Sequence, residues 1–228
     1  MTQTELLEGR VLLIDKPLHW TSFDIIRKLR NIFRIKKIGH AGTLDPLATG
    51  LLIVCTGKFT KKINEYMGME KEYTGTITLG AVTPTYDLES DPEQHQPFEH
   101  ITMEEVERVF ETFTGPIMQF PPAHSAIKVD GKRLYQLARE GKEVKLEARA
   151  VTIYECELTR FDLPEIDFRV VCGTGTYIRS LAKDVGESLG CGGYLSKLVR
   201  TRIGEFLLTD AHSPEQVDEA YVRPEANL

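Results

Sequence analysis

The chain has 228 residues, 41% of them hydrophobic and 27% charged, with a formal net charge of -6. That length buries a sizeable core without disulfide staples, and the composition is ordinary for a globular protein, so neither enzyme nor binding module is excluded. Cys55, Cys156, Cys172 and Cys191 form no Cys-x-x-Cys pair, which argues for buried free thiols in a reducing cytoplasm and against a zinc site.

Residues 1–10 lack an apolar signal core, and no apolar run approaches the ~18 residues of a membrane span, so neither secretion nor membrane insertion is expected. Arg10–Asp15 reads as a buried strand closed by Lys16-Pro17. Thr21 with Asp24 resembles a capping box opening a helix whose apolar stripe is Phe23, Ile26, Leu29, Ile32 and Phe33. Arg27, Lys28, Arg30, Arg34, Lys36 and Lys37 make this stretch basic, with no acid among them. A local positive surface of that kind suffices for phosphate contact even on an acidic protein, although a solvated helix face fits the charges equally well.

Next comes Gly39-His40-Ala41-Gly42-Thr43-Leu44-Asp45-Pro46-Leu47-Ala48-Thr49-Gly50, read as a loop because of its three glycines and because Pro46 disfavours helix at Asp45. It feeds a buried strand, Leu51–Cys55. On residue types alone Asp45 could simply make an Asx-type turn. His40 has no His or Cys partner at ligand spacing.

Lys58–Met67 reads as a short helix and Lys71–Gly80 as a strand carrying Tyr73, which by itself would be a core residue. Asp87–His100 is acidic and expected to be an exposed connection. Thr102 with Glu105 caps a helix bearing Val106, Val109, Phe110 and Phe113. From Gln119 to Gly141 the chain predicts a rigid Pro121-Pro122 entry, an extended piece, an Asp130-Gly131 turn and a short basic helix. Val151–Phe161 and Ile166–Cys172 form a strand pair joined near Leu163-Pro164. Gly173-Thr174-Gly175 is a weak phosphate-loop signal, since the third glycine of the dinucleotide fingerprint is missing. Arg179 then falls in the first turn of a helix, where a cation is disfavoured unless an anion faces it. Tyr194–Arg202 precedes a strand at Ile203–Leu208, and the polar residues after His212 are read as a tail.

Five stretches, Asp15–Pro17, Gly39–Gly50, Lys71–Tyr73, Gln119–Gly141 and Thr176–Arg179, occur in an order that closely resembles the TruB family of tRNA pseudouridine synthases. The likeness spans roughly residues 10 to 208. It implies an α/β fold of α+β type, with a mixed, largely antiparallel central sheet flanked by helices and an inserted RNA-gripping segment. The domain expectation is a catalytic domain over residues 1–211, with the insertion at about 119–150, and a short tail at 212–228 with no complete PUA domain.

The resemblance implies that Asp45 is the single catalytic aspartate, paired with Arg179, and that Tyr73 stacks on the target uracil and helps remove its C5 proton. Leu198 would pack on the opposite side of the base. Lys16, Pro17, His40 and Tyr177 would border the substrate, and Lys128, Lys132, Arg133 and Arg139 would contact phosphates. The implied substrate is the T arm stem-loop of tRNA, isomerised at the uridine of position 55. No cofactor, metal or obligatory protein partner is implied, and a monomer is expected. Two other classes meet the same residues: an RNA-folding chaperone without chemistry, and a glycoside hydrolase, which needs two carboxylates where the loop offers one.

Overall fold

The computed structural model of the chain describes residues 1–122, 128–129, 132–133 and 146–221. In chain order the first elements are α1 (Gln3–Glu8), β1 (Val11–Lys16), α2 (Ser22–Phe33), β2 (Ile38–Ala41), β3 (Ala48–Thr56), α3 (Ile63–Gly68) and β4 (Lys71–Leu79). They are followed by α4 (Met103–Phe113), β5 (Gly115–Gln119), β6 (Lys128–Val129), β7 (Lys132–Arg133), β8 (Arg149–Asp162) and β9 (Glu165–Cys172). The last are α5 (Ile178–Ser188), β10 (Gly193–Ile203), β11 (Phe206–Leu207) and α6 (Pro214–Glu219). The fold is mixed α/β, and two units divide the chain, Met1–Tyr73 with Leu198–Leu228, and Thr74–Lys197.

In the first unit β3 is the centre. It pairs antiparallel with β1 and β2, and parallel with β10. Its apolar run is continuous because both faces are covered. Leu52 and Val54 face one core with Ile14, Ile25, Ile26, Leu29 and Phe33, while Leu51, Ile53 and Cys55 face another with Ala41, Tyr66 and Ile203. Helix α2 has the expected Thr21–Asp24 capping box. Its buried stripe is Ser22, Ile25, Ile26, Leu29 and Phe33, and Phe23 is 60% exposed, because the residue after Ser22 lies about 100° round the helix from that stripe.

The register places Lys16 opposite Gly50 on one side and Arg200 opposite Gly50 on the other. Gly50 has φ +99°, and a Cβ there would sit 2.4 Å from the Arg200 carbonyl oxygen. Only glycine permits this approach.

Residues after His212, read from sequence as a tail, are folded as far as Tyr221. His212 exchanges backbone hydrogen bonds with Leu13 and Asp15, and α6 has its own Ser213–Gln216 capping box. Val217 and Tyr221 enter the α2 core. The helix is missed by hydrophobic periodicity because it is only six residues long and contributes two apolar contacts.

In the second unit β8 pairs antiparallel with β5 and β9, and β9 lies beside β4. The turn between β8 and β9 falls at Leu163-Pro164, where the sequence put it. Helix α4 carries the Thr102–Glu105 capping box, buries Val106 and Phe110, and packs on β8. Two expectations need correction. The strand expected at Ile203–Leu208 lies mostly upstream as β10, whose alternation is hidden by Lys197, Arg200 and Arg202; the turn at Gly204 (φ +54°) separates it from β11. Asp87, expected in an exposed connection, is buried, with 3% exposure.

Candidate active site

The stretch read as one loop divides: residues 39–41 belong to β2 and 48–50 to β3, leaving residues 42–47 as the connection that carries Asp45. Asp45 is half-buried, and its carbonyl accepts from Ala48 N–H at 3.1 Å. Side chains from three elements hold the backbone on either side.

Lys16, at the end of β1, is 0% exposed. Its Nζ donates to the carbonyls of Trp20 at 2.6 Å and Pro17 at 2.9 Å, and more distantly to Pro46 at 3.5 Å. Burial pushes the ammonium down to about 8, partly opposed by the attraction of Asp45, while the Arg200 guanidinium pushes the same way as burial. His19, in the left-handed region at φ 66°, donates its N–H to Pro46 O at 2.8 Å, tying the segment after β1 to the Asp45 loop.

Ser22 Oγ accepts from Leu44 N–H at 2.8 Å and donates to Leu44 O at 3.1 Å. Arg200 donates from Nε to Leu51 O at 2.7 Å, from Nη2 to Gly42 O at 3.2 Å and from Nη1 to Thr43 O at 3.5 Å. The loop has neither helix nor strand partners for these groups, and buried backbone groups must find some.

His40 lies in β2 opposite Val54. Burial lowers its pKa from the ordinary histidine value and so favours the neutral ring. Its Nδ1 is buried and, among the described residues, has no hydrogen-bond partner. Pro17 is half-buried just after β1. Leu198 sits on β10 directly opposite Ala48, three residues after Asp45, and Tyr73 on β4; both are buried. The first unit therefore gathers Lys16, Pro17, His40, Asp45 and Leu198 around β1, β2, β3 and β10, with Tyr73 on the neighbouring β4.

Tyr177 and Arg179 belong to the second unit. Tyr177 is the residue before α5, and the buried Gln119 side chain brackets it: Tyr177 N–H donates to Oε1 at 2.7 Å and Nε2 donates to Tyr177 O at 3.0 Å. Arg179 is 5% exposed, donates from Nη1 to Thr85 O at 3.1 Å, and its Nε is 3.6 Å from Asp87 Oδ2. An anion does face the guanidinium in the helix's first turn. Asp87 follows Tyr86, whose φ of 63° is strained for a tyrosine.

Lys128 and Lys132–Arg133 lie in a two-stranded antiparallel ladder, Lys128 opposite Arg133 and Val129 opposite Lys132. Arg139 and the expected basic helix lie outside the described residues. Among the described residues no cluster of three His, Cys, Asp or Glu side chains could hold a metal, and no helix is long and apolar enough to cross a membrane.

Sequence reasoning passed over Ser22, Asp87, Gln119 and Arg200. A signal existed for two of them. Ser22 interrupts the apolar stripe of α2 although Thr21 already caps that helix, and strand alternation puts Arg200 on the same face as Leu198.

Comparison with known proteins bears on what this arrangement serves. The family described as TruB family pseudouridylate synthase (N terminal domain) matches residues 30–178, and one described as tRNA pseudouridylate synthase B C-terminal domain matches residues 179–227. A Flavobacterium johnsoniae protein named tRNA pseudouridine synthase B is 55% identical over 218 residues, covering 92% of this chain and 95% of that one. A Parabacteroides distasonis protein of the same name is 52% identical, covering 94% of each.

Among solved structures, a chain of a Cbf5-Nop10-Gar1 complex matches at 28% identity with a TM-score of 0.69, over 97% of this chain and 54% of that one. A chain of an H/ACA RNP bound to a substrate RNA containing 2'-deoxyuridine matches at 25% identity with a TM-score of 0.70, over 94% and 53%. The chain thus spans about half the length of those solved chains. On its own fold, and on matches that run nearly end to end with its bacterial relatives, the chain belongs to the TruB family of pseudouridylate synthases.

Proposed function

We propose that the chain converts a uridine of tRNA, at position 55 in the T loop, to pseudouridine, with Asp45 as the single reacting carboxylate. The reaction breaks the N1–C1′ bond, turns the base and bonds C5 to C1′, without redox change or net hydrolysis. It demands an ionised carboxylate at the sugar, an everted nucleotide, and water kept from the detached base.

The observation that carries the reading is the treatment of the Asp45 loop. Buried side chains from β1, α2 and β10 hold the backbone before and after Asp45, which is how a reacting group is preorganised. The tRNA assignment is supported by the names of relatives above 50% identity. On this reading Lys16 supports the loop from beneath, its buried ammonium an electrostatic partner of the carboxylate. The family resemblance assigns Arg179 the role of favouring the ionised form of Asp45, as a positive charge does for a carboxylate. Tyr73 and Leu198 sandwich the flipped uracil, offsetting its lost stacking, and Tyr73 assists loss of the C5 proton. His40, Pro17 and Tyr177 border the RNA. Lys128, Lys132, Arg133 and Arg139 contact T-arm phosphates. No further protein is required for turnover, and the chain acts as a monomer.

The test is turnover of an unmodified T-arm stem-loop by the purified chain. Pseudouridine should form with the native protein, and Asp45→Asn should bind the RNA normally while formation drops to background. Unchanged uridine with tight binding would favour an RNA-opening chaperone, and released free uracil a glycoside-cleaving enzyme. Turnover retained by Asp45→Asn would remove Asp45 from the chemistry.

A further inference from the structure

We propose that Ser22 and Arg200 are positioning residues, which set where the Asp45 carboxylate stands by fixing the backbone before it. The inference rests on the reading of Asp45 as the reacting group.

Ser22 is the first residue of α2, with 2% exposure. Thr21 and Asp24 already cap that helix reciprocally, so the Ser22 hydroxyl is not needed at the helix end. It is spent instead on residue 44, accepting from its N–H and donating to its carbonyl. A hydroxyl that meets both groups of one peptide position fixes its orientation as well as its place. The next residue is Asp45.

Arg200 approaches from β10, with 1% exposure. Its planar guanidinium spans Gly42, Thr43 and Leu51, so one rigid group ties the connection before Asp45 to the strand after it. Lysine at that position would keep the charge and lose the fork. A buried cation that, among the described residues, donates only to carbonyls is a costly way to fill space, and an apolar side chain would fill it more cheaply. What Arg200 adds is orientation of those carbonyls. Gly42, with φ +89°, is free to swing without such a restraint.

A displacement of about 1 Å at a reacting group costs on the order of 100-fold in rate. Ser22→Ala and Arg200→Lys should therefore lower the single-turnover rate constant, measured with saturating protein on a T-arm stem-loop, by about 10- to 100-fold. The dissociation constant for the RNA should stay within about twofold, because neither side chain reaches the surface. All variants and the native chain are assayed at one temperature, about 15 °C below the lowest of their melting temperatures, and Ser22→Ala carries the test should Arg200→Lys not fold. A purely structural role would lower the melting temperature and the reacting fraction but leave the saturated rate constant unchanged, and that result overturns the proposal. A loss confined to RNA affinity overturns it as well. Asp45→Asn is run alongside: if it turns over, the reading of Asp45 fails, whereas an inactive Asp45→Asn with full-rate Ser22→Ala and Arg200→Lys refutes the positioning role alone.

Discussion

Replacing Lys16 with methionine offers the most direct measurement of how the loop's foundation is built. The substitution keeps an unbranched side chain, one atom shorter, and removes its charge and its three carbonyl contacts. Burial holds the native ammonium down to about 8 from an ordinary value of 10.5. Between these two values the unfolded chain keeps a proton that the folded chain has lost. Unfolding then takes up that proton, and stability rises with pH across this window. Below pH 8 both states are protonated and the penalty of the buried charge is present in full. Each pH unit of the window is worth about 1.4 kcal/mol, so the Lys16 contribution should climb by about 3 kcal/mol from below pH 8 to 10.5. Urea denaturation of the native chain and of Lys16→Met at half-unit steps from pH 7 to 10.5 isolates it, since other titrations cancel in the difference. A difference that stays flat, or falls with pH, would mean that the ammonium is hydrated or ion-paired, and the description of Lys16 as a buried cation resting on carbonyls would be wrong.

Two further outcomes follow from other buried contacts. Asp87→Asn removes a carboxylate that lies 3.6 Å from the Arg179 guanidinium, both side chains being 5% exposed. Loss of a buried ion-pair partner costs about 3 kcal/mol at the lower end, fitting so long a contact, and urea unfolding should show a destabilisation of that size; a change below about 1 kcal/mol would show that Asp87 does little to compensate Arg179. Tyr221→Ala empties a buried site where the ring meets Phe33 edge-on at 5.1 Å and the hydroxyl donates to Phe33 O at 3.3 Å. A cost of about 3 to 4 kcal/mol should lower the melting temperature by about 10 °C, whereas an unchanged melting temperature would mean that the end of the described chain is not part of the α2 core.

Much of the fold was legible because local signals agreed with each other. The Thr21–Asp24 and Thr102–Glu105 boxes open helices where they were expected, and the apolar run of Leu51–Cys55 is the most enclosed strand of the first unit. Where reading failed, a local signal was outvoted by a distant partner. Asp87 looks like one acid among many between Asp87 and Glu111; it is buried because residue 195 pairs beside it and residue 179 supplies a cation. β10 is hidden because a strand with arginines on its inward face does not alternate in the ordinary way, and Arg200 is tolerable there only because carbonyls of residues 42, 43 and 51 meet it. The α6 helix escapes notice because two apolar side chains in a polar stretch say nothing until α2 is there to receive them.

The candidate site divides along the same line. Residues that resemble the family's motifs, the supporting Lys16 among them, could be named from the sequence, while Ser22, Asp87, Gln119 and Arg200 were passed over, because a supporting contact has no fixed spacing. Ser22 and Leu44 are 22 residues apart, Gln119 and Tyr177 are 58 apart. Yet the two contacts solve one problem in one way. Leu44 precedes Asp45 in the connection between β2 and β3, and Tyr177, two residues before Arg179, caps α5 with a carbonyl that also accepts from Leu181 N–H at 3.1 Å; each stands just outside a regular element. In each unit a buried polar side chain takes up both the N–H and the C=O of that position. A single hydrogen bond would let the peptide pivot about it, whereas two opposed bonds to one side chain fix its plane. The polar atoms of Ser22 and Gln119 are thus explained by the backbone they orient, and a buried serine or glutamine in an otherwise apolar surrounding is the mark by which such supports can be sought in other chains.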